Sequence, residues 1–495
     1  MQQSSERQGL KMYGGIWGGL IPVLVLMGGL VWISLAPVIQ ETTSPVIQEG
    51  TWKPGAKAFW VAGWVAIVVG LFLARTKTEY CRSIIRGLGD KNGIVIVTAW
   101  IFAGVFGKLM AGGGLVEGLL WFGMETGAKG TIFTLIAFLM AMVFSSGTGT
   151  SVGTYLSLVP FVYPAGIFLG ADPIALAIAL LGGAAFGDNL APISDTTIVS
   201  AYTQGATMKD VVKSRFPLAA TAALMAAIVL AFVGGGGEIN SETELRIDKD
   251  PAGLLMLISF ALVIVCAMSG RHILVSLIYG NVSAIILGAI NGKMPLSAVF
   301  HIPTVIVTEA DKSTGLIQDG IAGVEGAVIF ALLVLALTQM MIDSGLMRSI
   351  LKLAEKTILK TVRQAEFAII FITIIASIPI ASNAAAELLV GPSLVKPIGE
   401  KAKLAPARRA NLMDCAVCTI FYMLPWHVAV IVWHGALTDA CKAYSLATPS
   451  IIYAALNPYA WALLTVLLFS AFTGWNRKFA AGNEVTLSNN NSATS

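Results

Sequence analysis

A chain of 495 residues with 56% hydrophobic and only 12% charged residues carries more apolar surface than water-soluble domains tolerate. That balance excludes a soluble enzyme or binding module and places function in a lipid bilayer. The net charge of +4 is modest and its basic residues sit in short loops between apolar runs, which excludes a nucleic-acid partner.

Runs of about 17–25 apolar residues, the length that spans a bilayer core, recur from one end to the other. Spans are expected near 15–35, 57–74, 93–110, 131–145, 153–169, 173–203, 216–233, 251–269, 273–290, 326–342, 365–380, 384–398, 409–433 and 452–474, fourteen in all. Strand-period alternation is missing, so the spans are helices and the fold class is all-α integral membrane. The first run has no small-residue cleavage site after it and reads as a retained helix. Residues 479–495 are polar and rich in Asn and Ser, the composition of a disordered tail. Of five cysteines, Cys415 and Cys418 form a CxxC, but with no second ligand pair it reads as packing surface rather than a metal site.

At an offset of 233 residues, Gly87 aligns with Gly320, Gly93 with Gly326, Pro164 with Pro397, Pro173 with Pro406 and Pro192 with Pro425. Gly and Pro mark backbone breaks, so two halves that bend at corresponding places are expected. Loop charge swaps between them. Loop 75–91 holds Arg75, Lys77, Arg82, Arg86 and Lys91, whereas 308–324 holds Glu309, Asp311 and Asp319 against Lys312. Loop 111–130 holds Glu117, Glu125 and Lys129, whereas 344–363 holds Arg348, Lys352, Lys356, Lys360 and Arg363. The turn around Asp172 is set against Lys396, Lys401, Lys403, Arg408 and Arg409, and Lys209, Lys213 and Arg215 against Asp439 and Lys442. Under the positive-inside rule this describes inverted-topology repeats, whose broken helices and hairpins meet at the midplane. The expected organisation is a first repeat at 1–233, an external acidic linker at 234–250, a second repeat at 251–478 and the tail, in the cell (inner) membrane with both termini cytoplasmic. A homodimer is compatible with this plan.

Within the first half, SSGTGTSVGT (145–154) is too polar and glycine-rich for an ordinary span. Backbone atoms of Gly147, Thr148, Gly149, Thr150 and Ser151 there can approach a substrate closely. In GGAAFGDNLAPISDTTIVSA (182–201), Pro192 stops an apolar helix near Asp188, and a new helix restarts near Thr196. Freed carbonyls and the negative helix end favour a cation near Asp188 and Asn189, while Ser194 or Asp195 can cap the second half-helix. Hydroxyls of Ser194, Thr196 and Thr197 add the hard oxygens that sodium needs. In the second half, Asn383 and Glu387 occupy the matching hairpin, and PWH (425–427) the matching break, with Phe421 where Asp188 stands. Asp414, Asn411, Tyr422, Trp426 and His427 surround it, a set suited to a larger ligand.

GDNLAPISDTT (187–197) together with SSGTGTSVGT resembles the signature of the NhaC family of sodium/proton antiporters, within the ion-transporter superfamily. The resemblance implies sodium/proton antiport, or exchange of malate for lactate coupled to sodium and protons, and so leaves the substrate open. The leading expectation is a sodium/proton antiporter in which sodium and proton share Asp188, with no cofactor. The alternative is a sodium- or proton-coupled exchanger of a small organic solute, carboxylate or amino-acid-like. A membrane enzyme would need a nucleophile and base or a metal cluster, which four scattered histidines and the CxxC do not provide.

Overall fold

The computed structural model describes residues 10–43, 58–89, 91–192, 194–237, 249–269, 271–301, 314–345, 361–378 and 383–480. These form helices. Among them, β-type pairing is limited to three isolated bridges, Met12 with Ala74, Ala171 with Gly235 and Leu404 with Phe479.

The first half contains α1 (Ile16–Thr43), α2 (Ala58–Leu73), α3 (Lys77–Leu88), α4 (Lys91–Gly112), α5 (Leu115–Thr126), α6 (Thr131–Thr148), α7 (Ser151–Phe168), α8 (Pro173–Leu190), α9 (Asp195–Gln204) and α10 (Met208–Val233). The second contains a 3-10 turn (Pro251–Met256), α11 (Leu257–Met268), α12 (Ile273–Ile290), α13 (Leu316–Asp343), α14 (Val362–Ser377), α15 (Asn383–Val390), a π turn (Gly391–Val395), α16 (Lys396–Lys401), α17 (Pro406–Ile420), α18 (Val428–Ala443), a 3-10 turn (Ile451–Leu456) and α19 (Pro458–Thr473). By length and composition, seven spans among the described residues can cross a membrane: α6, α7, α8 with α9, α10, α12, α13, and the final 3-10 turn with α19. The bent pair Val97–Gly112 and Leu115–Thr126, inclined at 58°, makes an eighth if counted as one. The outer surface suits lipid: Phe232 is 86% exposed and Phe72 73%, which in water would be an aggregation hazard and in a bilayer is ordinary solvation.

Two segments expected to be loops are helical. Residues 75–91 hold α3, whose Tyr80, Ser83 and Gly87 recur at helical spacing and are buried. Ser83 and Arg86 donate to Asp343 at the end of α13, at 2.7 and 2.6 Å. Residues 111–130 hold α5, turned away from α4 at Gly114, whose φ of +88° costs little without a Cβ. Three basic residues counted as loop charges are buried: Arg215, Arg408 and Arg409. Arg408 is paired with Glu366 at 2.8 Å, and Arg477 closes on the same carboxylate at 2.5 Å. The charge swap at these loops therefore rests on Lys209 and Lys213, and on Lys396, Lys401 and Lys403. Residues 238–248 of the expected linker, 302–313 and 346–360 of two compared loops, and the tail from 481 lie outside the described residues.

Residues before and after the linker interleave: α4 packs on α12 and α13, α7 on α18, and α10 on α19. The tightest pairing joins α6 and α8, because Gly183 and Gly187 bring the backbones together. A Cβ at Gly187 would collide with Ser145. Gly187→Val is therefore expected to lower stability by about 1–3 kcal/mol or more, as overpacking does, read as the thermal unfolding midpoint of purified protein; an unchanged midpoint would contradict this packing.

Candidate functional site

Close approach of α6 and α8 sets the tip of one helical hairpin beside a helix break. Hairpin α6–α7 turns at Gly149 (φ +69°), and Thr150 caps α7 by accepting from the Gly153 amide at 3.3 Å. Helix α8 runs two residues past Asp188, ending at Leu190, and α9 begins at Asp195. Between them, Pro192 has no amide hydrogen to continue the ladder. Ser194 occupies the cap position of α9, yet its side chain makes no cap bond. Instead it donates to Asp188 Oδ1 at 2.8 Å. Asp195 Oδ1 accepts from the adjacent Thr196 amide at 2.8 Å.

The second half supplies the facing groups. A break between α17 and α18 spans Phe421–His427, and Tyr422 within it donates its hydroxyl to Asp188 Oδ2. Asn383, at the start of α15, donates Nδ2 to the same oxygen at 3.1 Å, and Ser151 Oγ lies 3.4 Å away. Residues 379–382, which precede α15 in the chain, lie outside the described residues. Asp188 is 3% exposed, and its carboxylate is held by four donors from α7, the start of α9, α15 and the second break. Hydroxyl and amide donors arranged around a carboxylate stabilise its charge, and those hydroxyl oxygens can turn to ligate a cation.

Arg215 is the residue that sequence reasoning misplaced. Expected in a loop, it is fully buried on α10 and pairs with Asp414 at 2.5 Å. It also donates to the Asn189 carbonyl at 2.5 Å, Thr197 Oγ1 at 2.9 Å, Ser200 Oγ at 3.2 Å and Asn411 Oδ1 at 3.0 Å. A guanidinium thus occupies the freed carbonyl at the end of α8, where a cation was expected, and engages Thr197. Asn189 turns its own amide to Asp414 Oδ1 at 3.1 Å. Asn189 and Thr197 therefore serve this ion pair, whereas Asp188, Ser194, Asp195 and Thr196, also expected as cation ligands, have no bond to Arg215 among the described residues. The signal was present in the sequence: Val211, Ser214, Arg215, Leu218, Ala222 and Ala226 recur at helical spacing and are buried together.

A cavity of about 410 Å³ opens beside Asp188. Thr148, Gly149, Thr150, Ser151, Asp188, Asp195 and Asn383 form its polar floor. Val97, Trp100, Val334, Phe421 and Val428 are among its walls, and the exposed Arg271 and His272 also line it. Gly147, Glu387, Asp414, Trp426 and His427, expected as ligand residues, do not line it. His427 packs edge-on against Phe421 at 5.1 Å, and neither ring nitrogen has a partner among the described residues. Cys415 and Cys418 are buried free thiols, Cys418 donating to Asp414 Oδ1 at 3.4 Å.

A multi-pass helical membrane protein with a carboxylate-centred site at two helix breaks is the class these features define. Residues 11–235 match the model of the Na+/H+ antiporter family, and both motif segments lie inside that match. The resemblance to sodium/proton antiporters is thereby shown over the first half of the chain. The chain is 28% identical over 186 residues to the Malate-2H(+)/Na(+)-lactate antiporter of Bacillus subtilis, covering 37% of this chain and 39% of that one. It is 25% identical over 245 residues to the Na(+)/H(+) antiporter NhaC of Alkalihalophilus pseudofirmus, covering 48% and 52%. It thus spans about half or less of the curated relatives it matches. The crystal structure of the Alcanivorax borkumensis YdaH transporter shares 12% identity at a TM-score of 0.41, covering 92% of this chain and 99% of that one. Both curated relatives are named as antiporters.

Proposed function

We propose that the chain is a secondary transporter that exchanges sodium for protons by alternating access, with Asp188 as the carboxylate they share. The observation that carries this reading is a buried aspartate, held by four donors from both halves, that also lines a cavity. Sodium entering the cavity meets Asp188 and Ser151, which line it, with Ser194 bonded to the other carboxylate oxygen and Thr196 bonded to Ser194 behind it, while a proton on Asp188 removes that charge; the two compete for one site. The proposed frame is fourteen spans in two inverted repeats, with both termini cytoplasmic and 234–250 external.

The test is a sodium jump across proteoliposomes containing only the purified chain, sodium salts and buffer. Proton movement without any organic solute is the expected result. Asp195→Asn is expected to keep most of this flux, since Asn replaces Asp as acceptor for the Thr196 amide; a loss equal to that of a change at Asp188 would make Asp195 a second essential ligand.

One set of observations favours an organic solute instead. A cavity of about 410 Å³ exceeds what a dehydrated ion needs, and a single water occupies roughly 30 Å³ of liquid. Apolar side chains such as Val97, Trp100 and Val428 line much of it, and the Arg271 guanidinium adds a cationic group beside the acidic floor. Proton movement that required an added organic acid would support this second reading.

A further inference from the structure

The buried centre holds another carboxyl, which the exchange at Asp188 does not use. Glu387, on α15, is fully buried, and neither carboxyl oxygen has a hydrogen-bond partner among the described residues. The charges acting on it come from Asp414, Arg215, Asp195 and Asp188, three acids and one guanidinium already committed to Asp414. On α14, which also packs against α15, Glu366 is held by Arg408 and Arg477, and Arg363 is exposed. An ionised carboxylate with neither donor nor counter-ion is among the costliest groups to bury, whereas the neutral acid leaves only ordinary dipoles unpaired. Asp188 is the opposite case, with four donors directed at its oxygens. Two buried acids in one centre thus stand in environments suited to different species, one to a carboxylate and one to a protonated acid.

We propose that Glu387 is a second proton-carrying site, separate from the cation site at Asp188. Its O–H stays intact in this conformation and breaks when the helices rearrange to admit water. The proton then passes to water on that side and is replaced from water on the other. Sodium entering while Asp188 is ionised adds one positive charge to the centre and so favours the ionised form of Glu387 over what the empty carboxylate allows; the Glu387 proton leaves as sodium binds and returns as sodium departs. Each sodium is then exchanged for one proton more than Asp188 alone would carry. This rests on the sodium/proton reading.

The experiment measures the proton-to-sodium ratio from the reversal potential of sodium-driven flux in proteoliposomes of the full chain, alongside sodium/sodium exchange with isotopic sodium. Glu387→Gln is neutral in both states and should retain sodium/sodium exchange while the ratio falls by one proton. Glu387→Met, apolar and of similar length, leaves no polar atom unpaired and should show the same loss if the amide folds poorly. Glu387→Asp should keep the wild-type ratio. A wild-type ratio in either neutral variant would overturn the proposal. So would loss of sodium/sodium exchange in a folded neutral variant, which would make Glu387 part of the cation site. If the wild-type chain moves no protons in response to sodium, the inference falls together with the reading beneath it.

Discussion

Asp188→Asn is expected to weaken sodium binding roughly a thousandfold and to abolish sodium-driven proton movement, with the protein still folded. A unit charge about 4 Å from a cation at an effective dielectric constant of about 20 contributes about 4 kcal/mol, and about 1.4 kcal/mol corresponds to tenfold in affinity. The amide should be accommodated. Its oxygen can face Asn383 and Tyr422, which donate to Oδ2, while its NH2 faces the Ser194 hydroxyl, which can rotate to accept. What the amide cannot do is exchange a proton for a cation. Sodium binding by calorimetry and proton flux in proteoliposomes are the two readouts, and wild-type flux at equal reconstitution would remove Asp188 from the mechanism.

Arg215→Gln should have the largest effect on folding. It leaves Asp414 fully buried without its partner at 2.5 Å and removes the guanidinium donor from the Asn189 carbonyl and the Thr197 hydroxyl. Breaking a buried ion pair on one side costs about 3–5 kcal/mol, because the remaining charge stays uncompensated. Adding Asp414→Asn removes that charge and should recover a substantial part of the loss. The measurement is the thermal unfolding midpoint of both variants; a double variant no more stable than Arg215→Gln would mean that the pair is not what holds the two breaks together.

The parts of this centre legible in the sequence were those marked by backbone chemistry. Pro192 and Gly149 fix a helix break and a hairpin turn wherever tertiary packing places them, so the segments around Asp188 and Thr148–Ser151 were identifiable from local rules. Asn383 and Tyr422 were noticed as polar groups at the corresponding places of the second half, but nothing local says that they reach Asp188. The basic residues were the failure. Sequence position suggests loop charges, whereas Arg215, Arg408 and Arg409 lie on helix faces that turn inward and pair with Asp414, Glu366 and Glu400 on other helices. Ion-pair partners are a tertiary property, and only the helical spacing around Arg215 hinted at it. The 12-residue helices α3 and α5 are likewise not legible as spans, because each is shorter than a bilayer core requires. Of the two candidate caps, Ser194 and Asp195, it is Asp195 that accepts from the Thr196 amide while Ser194 bonds Asp188, a choice that depends on where α8 ends relative to α9.

Calorimetric titration of the purified wild-type chain with sodium at a series of pH values tests the shared carboxylate most directly. Competition of one proton with one sodium at Asp188 lowers affinity by up to about tenfold for each unit of acidification across the range in which the carboxylate takes up its proton, more steeply where the Glu387 proton leaves as well, with a matching proton release into the buffer at each titration. Sodium affinity that does not change with pH, with no protons released on binding, would contradict exchange at a single shared site.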